Sequence, residues 1–210
     1  MKNRKKIVTF VGILSLICFG NSLSQGSNID YAFDCLKNNR YSEAISRFTD
    51  LIGLNDTIST FYYGRGTAYL YTGDNINAVK DLEKTININT NSIDAYYGLA
   101  IAHINLENYQ ASISIINKAI KIDTTYYELY YARGIVNYIN KNYQNAVKDF
   151  NYVLEHRNSL NALYGRAISF YKQKLFSDTS TDLAAFLQNN KTNNALVDEC
   201  HRLLDIIRNN

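Results

Sequence analysis

From Tyr62 to Thr72, and again from Asn75 to Ile88, apolar side chains return every three or four residues, with Gly73 and Asp74 between the two stretches. That spacing puts the apolar set on one face of a helix, and the glycine-aspartate break predicts a hairpin of two amphipathic helices. Ile, Tyr and Val abound, yet sustained alternation with a period of two never appears, so strands are not expected. The last stretch, Asn194 to Ile207, sets Leu196, Cys200, Leu203, Leu204 and Ile207 on roughly one side, as expected of a helix that covers the open end of an array.

The hairpin recurs. A shift of 34 residues lays DNINAVKDLEKTI (Asp74 to Ile86) on NYQASISIINKAI (Asn108 to Ile120) and on NYQNAVKDFNYVL (Asn142 to Leu154). The same shift aligns Tyr62, Tyr96 and Tyr130, then Gly66, Ala100 and Gly134, then Ala78, Ser112 and Ala146, then Leu82, Ile116 and Phe150. A weaker copy upstream has Tyr41, Ala44, Phe48 and Leu51 in the corresponding places, and Asn28 where the opening aromatic should stand, which leaves its helical start open. A last copy follows once one residue is dropped between His156 and Asn161, with Leu163, Ala167, Phe176, Leu183 and Phe186. The predicted units are about 25–58, 59–92, 93–126, 127–159 and 160–192 of a repeat domain over 25–210, followed by a capping helix at about 194–207. Small residues at the expected crossings (Gly66 and Ala78, Ala100 and Ser112, Gly134 and Ala146) predict close helix approach.

With an aromatic at the fourth position, a small residue at the eighth, Ala near the twentieth and an aromatic or Leu at the twenty-fourth, this period resembles the tetratricopeptide repeat. The resemblance implies an all-α, right-handed superhelical solenoid of about five antiparallel helix-turn-helix repeats plus a C-terminal capping helix. It also implies that the first helix of each unit lines a concave surface. One departure matters. The family closes its second helix with proline, whereas Thr90 and Thr124 stand there and the chain has no proline at all, which predicts turns with less backbone restraint.

The segment YYGRG, Tyr62 to Gly66, raises the question of a phosphate loop. It has neither the length nor the strand-to-helix context of GxxxxGK[ST] or GxGxxG, so Gly64 and Gly66 are read as close-packing residues. The arginine at the seventh position tells more. Arg65, Arg133 and Arg166 occur in units that carry Asp81, Asp149 and Asp182 at the twenty-third position, whereas the unit with Leu99 has Ile115 there and the first unit has Tyr31 with Arg47. Acid and arginine come and go together. The expectation is a pair between the two helices of each hairpin, against pairing with a neighbouring unit or two solvated charges.

On the reading that the resemblance implies, the concave side carries Tyr63, Tyr97, Tyr131 and Tyr164 at the fifth position. Tyr138 and Tyr171 fall at the twelfth, and Tyr71, Asn105 and Lys172 at the thirteenth. Tyrosine offers rigid contact area and a hydroxyl, so these residues form a candidate groove for a peptide or protein segment. For the fifth-position row, packing between hairpins is an equal alternative. The cluster of lysine, arginine and asparagine with which family members hold a terminal carboxylate is nearly absent. The preferred function is noncatalytic protein or peptide binding through this groove. The alternative is a structural assembly module of a cell-envelope complex that uses its ends or outer face, and an enzyme is a minor third reading.

Composition changes the picture at one end only. Residues 1 to 24 have a basic head (Lys2, Arg4, Lys5, Lys6), an apolar run from Ile7 to Cys18 and a small-residue exit at Gly20, Ser22 and Ser24, the pattern of an export signal. A retained anchor and lipid attachment at Cys18 are the alternatives, and they are also the only routes to membrane contact. Four of the 22 basic residues lie in this segment, leaving 18 against 19 acidic ones, so nothing favours nucleic acid as a partner. Abundant Asn, Ile, Lys and Tyr suggest a bacterial chain, which if exported is periplasmic, surface-attached or secreted. Cys35 and Cys200 form no disulfide framework. His103, His156 and His201 lack HExxH or CxxC spacing, and no GxSxG stands out, so neither a metal, a cofactor nor catalysis is expected.

Overall fold

The computed structural model describes residues 26–190 and 195–209. The expected export signal, with Cys18, lies outside them, as does Asn194 at the expected start of the last helix. Eleven helices appear in the described residues: α1 (Gly26–Lys37), α2 (Tyr41–Leu54), α3 (Ser59–Thr72), α4 (Asn75–Ile88), α5 (Ile93–Asn105), α6 (Tyr109–Ile122), α7 (Tyr127–Ile139), α8 (Tyr143–His156), α9 (Leu160–Lys172), α10 (Phe176–Asn189) and α11 (Ala195–Arg208). Taken two at a time, α1 to α10 make hairpins 1 to 5, and α11 is the cap. The fold is an all-α solenoid of tandem helix-turn-helix repeats of tetratricopeptide type. The first helix is already formed at Gly26, the first described residue, although the opening aromatic is missing.

The chain forms two compact bodies, one up to Ile115 and one from Ile116. In the first, Ala32, Cys35, Leu36, Ala44, Phe48, Leu51, Phe61 and Ala68 make one core cluster, and Ala78, Leu82, Ala95, Leu99 and Ala102 make another. In the second, Ala146, Phe150, Val153 and Ala162 are buried together, as are Ala167, Leu183, Phe186, Cys200 and Leu203. Leu196 and Leu204 of α11 pack on that last cluster, so the cap covers hairpin 5 with its apolar stripe.

Each hairpin turns through one residue in the left-handed conformation: Asn39, Gly73, Glu107, Lys141 and Lys174, with φ of 60°, 82°, 61°, 61° and 60°. The backbone bonds around it repeat. In hairpin 4, Lys141 N–H donates to Tyr138 O at 2.9 Å and Asn142 N–H to Asn137 O at 2.8 Å, which satisfies carbonyls that the helix end leaves open. Only one of the five turns uses glycine, so the others carry the steric cost of a Cβ, about 1 kcal/mol.

Between hairpins the missing proline has a substitute. Asn55, Asn89 and Asp123 each accept through Oδ1 the backbone N–H two residues on, from Thr57 at 3.0 Å, Asn91 at 3.2 Å and Thr125 at 2.7 Å. An Asx turn therefore holds the backbone at the place where the ring of a proline would restrict it. After α8 the arrangement differs: Ser159 Oγ accepts from Ala162 N and caps α9.

Gly64, Gly66, Gly98, Gly134 and Gly165 sit against large rings or branched side chains. A Cβ on Gly134 would come within 2.8 Å of Phe150, and one on Gly165, in the next hairpin, within 2.7 Å of the same ring. Phe150 is thus held between two glycines. Leu82 occupies the same place between Gly66 and Gly98, and Phe48 lies against Gly64. Those contacts offset the roughly 1 kcal/mol that glycine costs in a helix relative to alanine.

Candidate functional site

The arginines come first, because their position follows from the repeat. Arg65 donates through Nε to Asp81 Oδ2 at 2.7 Å and through Nη2 to Oδ1 at 2.9 Å. Arg133 meets Asp149 and Arg166 meets Asp182 in the same forked way, each with a shortest contact of 2.7 Å. All three acids are buried, and the guanidinium groups lie over the rings of Tyr62, Tyr130 and Phe170, each fork making two charged hydrogen bonds. The third donor reaches back one hairpin. Arg65 Nη1 bonds Thr49 Oγ1 at 3.1 Å, Arg133 Nη1 bonds Asn117 Oδ1 at 2.7 Å and Arg166 Nη1 bonds Asn151 Oδ1 at 2.7 Å. Each arginine therefore joins its own hairpin and also ties it to the hairpin before. The twenty-fifth position that supplies Thr49, Asn117 and Asn151 gave no warning in the sequence, since a polar residue there reads as solvated.

The two other units solve the same position differently. In hairpin 1 the residues are exchanged, and Arg47 lies over the Tyr31 ring with Cζ 5.4 Å from its centroid. Arg40 also lies over that ring, at 5.2 Å, while Tyr31 Oη donates to Glu43 at 2.7 Å. In hairpin 3, Leu99 is buried and Ile115 packs against its cluster.

The fifth-position tyrosines are mostly inside. Tyr97 is buried, at 9% exposure. Tyr63 packs on the Leu82 cluster, and burial pushes its phenol well above the usual range. Tyr131 leans on Phe150 and Tyr164 on Phe186, with ring centroids 5.8 Å and 5.7 Å apart. Burial, with Cys200 and Glu199 adding to it, raises the Tyr164 phenol to about 12.

Residues at the twelfth and thirteenth positions are engaged with the start of a second helix. Tyr71 stacks on Tyr41 of the preceding hairpin, centroids 4.8 Å apart, and Asn105 Nδ2 donates to Asn75 Oδ1 at 3.0 Å in the equivalent place. Tyr138 meets Tyr143 at 5.5 Å and Tyr171 meets Phe176 at 6.0 Å, all four rings half-buried, while Lys172 is exposed.

A second aromatic group was not anticipated. Tyr130 stacks on Tyr152 with centroids 3.8 Å apart, and Tyr152 stands 4.4 Å from the exposed His156 ring. Arg157 Cζ lies 4.6 Å over Tyr127, and Tyr152 Oη donates to Thr124 O at 2.6 Å. The only sequence signal was a tyrosine at the twenty-sixth position, where the other hairpins have Asp50, Lys84, Lys118 and Ala185.

Cys35 and Cys200 are buried and free, and burial raises both thiols, that of Cys200 to about 11, which keeps them protonated and unreactive. Among the described residues no three His, Cys, Asp or Glu side chains converge as a metal site, and no helix is long and apolar enough to cross a membrane.

Residues 59–92 and 93–126 each match the tetratricopeptide repeat model. The chain is similar to the crystal structure of PilW, a widely conserved type IV pilus biogenesis factor, with TM-score 0.76 and 14% identity over 88% of each chain. It is also similar to YrrB, a TPR protein with an unusual peptide-binding site, with TM-score 0.67 and 17% identity over 87% of this chain and 91% of that one. A thermophilic TPR protein of Thermus thermophilus gives TM-score 0.69 and 14% identity over 86% of this chain and 99% of that one. At these identities the likeness is one of fold. No curated protein matches the sequence. The fold is one typical of noncatalytic scaffold proteins.

Proposed function

We propose that this chain is a noncatalytic protein-interaction scaffold that holds other subunits of a cell-envelope assembly through its outer face and ends. One observation carries the choice over the tyrosine groove. Of the fifth-position tyrosines Tyr97 is buried and Tyr63, Tyr131 and Tyr164 are partly buried, whereas aliphatic side chains at the ends of second helices stand in solvent: Leu54 is 79% exposed in α2 and Ile88 39% exposed in α4. Ile122 ends α6 in the same repeat position, at 42% exposure. A monomer gains nothing by leaving such side chains in water, and partner binding would remove them from it. The envelope setting rests on the export reading of residues 1 to 24 and on a fold shared with a pilus biogenesis factor.

The groove remains the second reading because Tyr138 and Tyr171 are only partly buried and Lys172 is exposed. Capture of partners from an envelope fraction separates the two. Under the scaffold reading, Leu54→Glu with Ile88→Glu removes the partners that the parent retains, while Tyr138→Ser with Tyr171→Ser does not, at unchanged helical circular dichroism. The reverse pattern restores the groove. N-terminal sequencing of the protein recovered from cells tests export, with a new terminus near Ser24 expected.

A further inference from the structure

We propose that the turn edge of hairpins 4 and 5 is a docking site for an acidic segment of a partner protein, held by Lys141, Lys172 and Lys174 at the turns that also carry the ring pairs Tyr138/Tyr143 and Tyr171/Phe176. The inference rests on the scaffold reading and names the chemistry of one of its contacts. α7 and α9 touch, so the two turns that follow them lie along one edge of the second body.

Charge on that edge is unbalanced. No acidic residue occurs from Asn137 to Val147, and from Phe170 to Ser180 there is only Asp178, in the first turn of α10. All three lysines are exposed, and none is paired with a carboxylate among the described residues. The arginines nearby are already taken: Arg133 by Asp149, Arg166 by Asp182, and Arg202, which lies by Tyr171, by Glu199. Turns of the first body differ. Arg40 is tied to Asp34 and Glu43, and the next two turns contain Asp74 and Glu107. The excess of ammonium groups is therefore local to hairpins 4 and 5.

The same two turns carry four half-buried rings, paired as Tyr138 with Tyr143 and Tyr171 with Phe176. Burial raises the Tyr138 phenol, so it remains a donor at neutral pH. Aspartate and glutamate side chains match the ammonium groups, and an apolar side chain between them would rest on the rings. A nucleic acid fits less well, because no free arginine fork accompanies the lysines to grip phosphates.

The probe is a fluorescein-labelled twelve-residue peptide alternating Asp or Glu with Leu and Ser, titrated by anisotropy with the full chain in ~50 mM salt. A lysine-for-acid counterpart, a single-stranded oligonucleotide and anionic phosphatidylglycerol vesicles serve as comparisons. We expect the acidic peptide to bind, to weaken steeply with salt, and to lose about tenfold in affinity for the exposed-surface variant Lys141→Gln/Lys172→Gln/Lys174→Gln. Tyr171→Leu, which keeps an apolar side chain there, should leave most of the binding. The proposal is overturned if the acidic peptide fails to bind, if the triple variant binds it equally, or if oligonucleotide or vesicles bind better through the same lysines. Partners captured from the envelope in a Leu54- and Ile88-dependent way, but untouched by the triple variant, would leave the scaffold reading standing and remove this one.

Discussion

Hairpins 3 and 4 use the same two positions in opposite ways. In hairpin 4 the seventh and twenty-third positions hold a forked Arg133–Asp149 pair, with Asn137 Nδ2 adding a bond to Asp149 Oδ2 at 2.9 Å and Asn117 taking the remaining arginine donor. In hairpin 3 the positions hold Leu99 and Ile115, and the helices meet through hydrocarbon. Both hairpins turn at φ 61° with the same pair of backbone bonds, so the ion pair is not what makes the turn. What the hairpin requires is that both partners change together, because a buried charge left alone costs far more than the pair contributes. Hairpin 3 differs in a second respect. The two buried side-chain polar atoms without a partner among the described residues, His103 Nδ1 and Ser112 Oγ, both belong to it.

The comparison breaks most sharply if one partner is removed. Asp149→Ala leaves Arg133 and Asn137 without their acceptor and should lower stability by about 3 kcal/mol in urea unfolding. Adding Arg133→Leu, which copies the solution of hairpin 3, should bring it back to within about 1 kcal/mol of the parent. Strictly additive losses for Asp149→Ala and Arg133→Ala, alone and together, would show that the pair has no coupling.

A smaller effect concerns the ring beside that pair. Gly134→Ala pushes a Cβ into Phe150 and should cost about 1 to 3 kcal/mol, whereas Gly98→Ala, 3.2 Å from the end of a leucine, should be close to neutral because alanine favours the helix. Thermal unfolding of the two variants side by side decides this. Next comes Ser112→Ala, which places in hairpin 3 the alanine that stands at the same position in hairpin 4. Removing a buried hydroxyl with no partner should stabilise by about 1 kcal/mol, and a loss instead would reveal a bond the hydroxyl makes.

The mildest difference is in pH. Burial lowers the His103 pKa, with Glu83 opposing it, so the folded state favours the neutral ring. Its folded value lies below the unfolded one near 6.5, so the stability tied to the neutral ring is present above pH 6.5 and is lost as pH falls toward the folded value. The urea midpoint of the parent should therefore drop between about pH 7.5 and 5 by more than that of His103→Leu.

Much of this was legible before any coordinates. The 34-residue shift located the five hairpins because every buried row repeats, and the joint exchange of Arg133/Asp149 for Leu99/Ile115 named the pairs across each hairpin. Other features left no trace because the sequence signal for them is chemical identity, and identity varies. The left-handed turn residue is Asn, Gly, Glu, Lys and Lys in the five units, so only Gly73 announced it. The link to the preceding hairpin uses Thr49, Asn117 and Asn151, whose short polar side chains look like ordinary surface. The tyrosines were ambiguous for a related reason. Tyr97 and Tyr171 are the same residue type on the same helical face pattern, yet one is buried and the other only partly so, and only the neighbours decide which.

The backward reach of each arginine has a consequence for how such an array can grow or be recombined. An insertion that joins a helix of hairpin 3 to the complementary helix of hairpin 2, 4 or 5 would mismatch Arg with Ile or Leu with Asp inside a hairpin. A breakpoint between hairpins keeps every internal pair and disturbs at most one guanidinium hydrogen bond to a neutral Thr or Asn. Duplication, deletion and chimera building are thus channelled to the Asx turns at Asn55, Asn89 and Asp123, where the chain can be cut and rejoined with the least electrostatic damage.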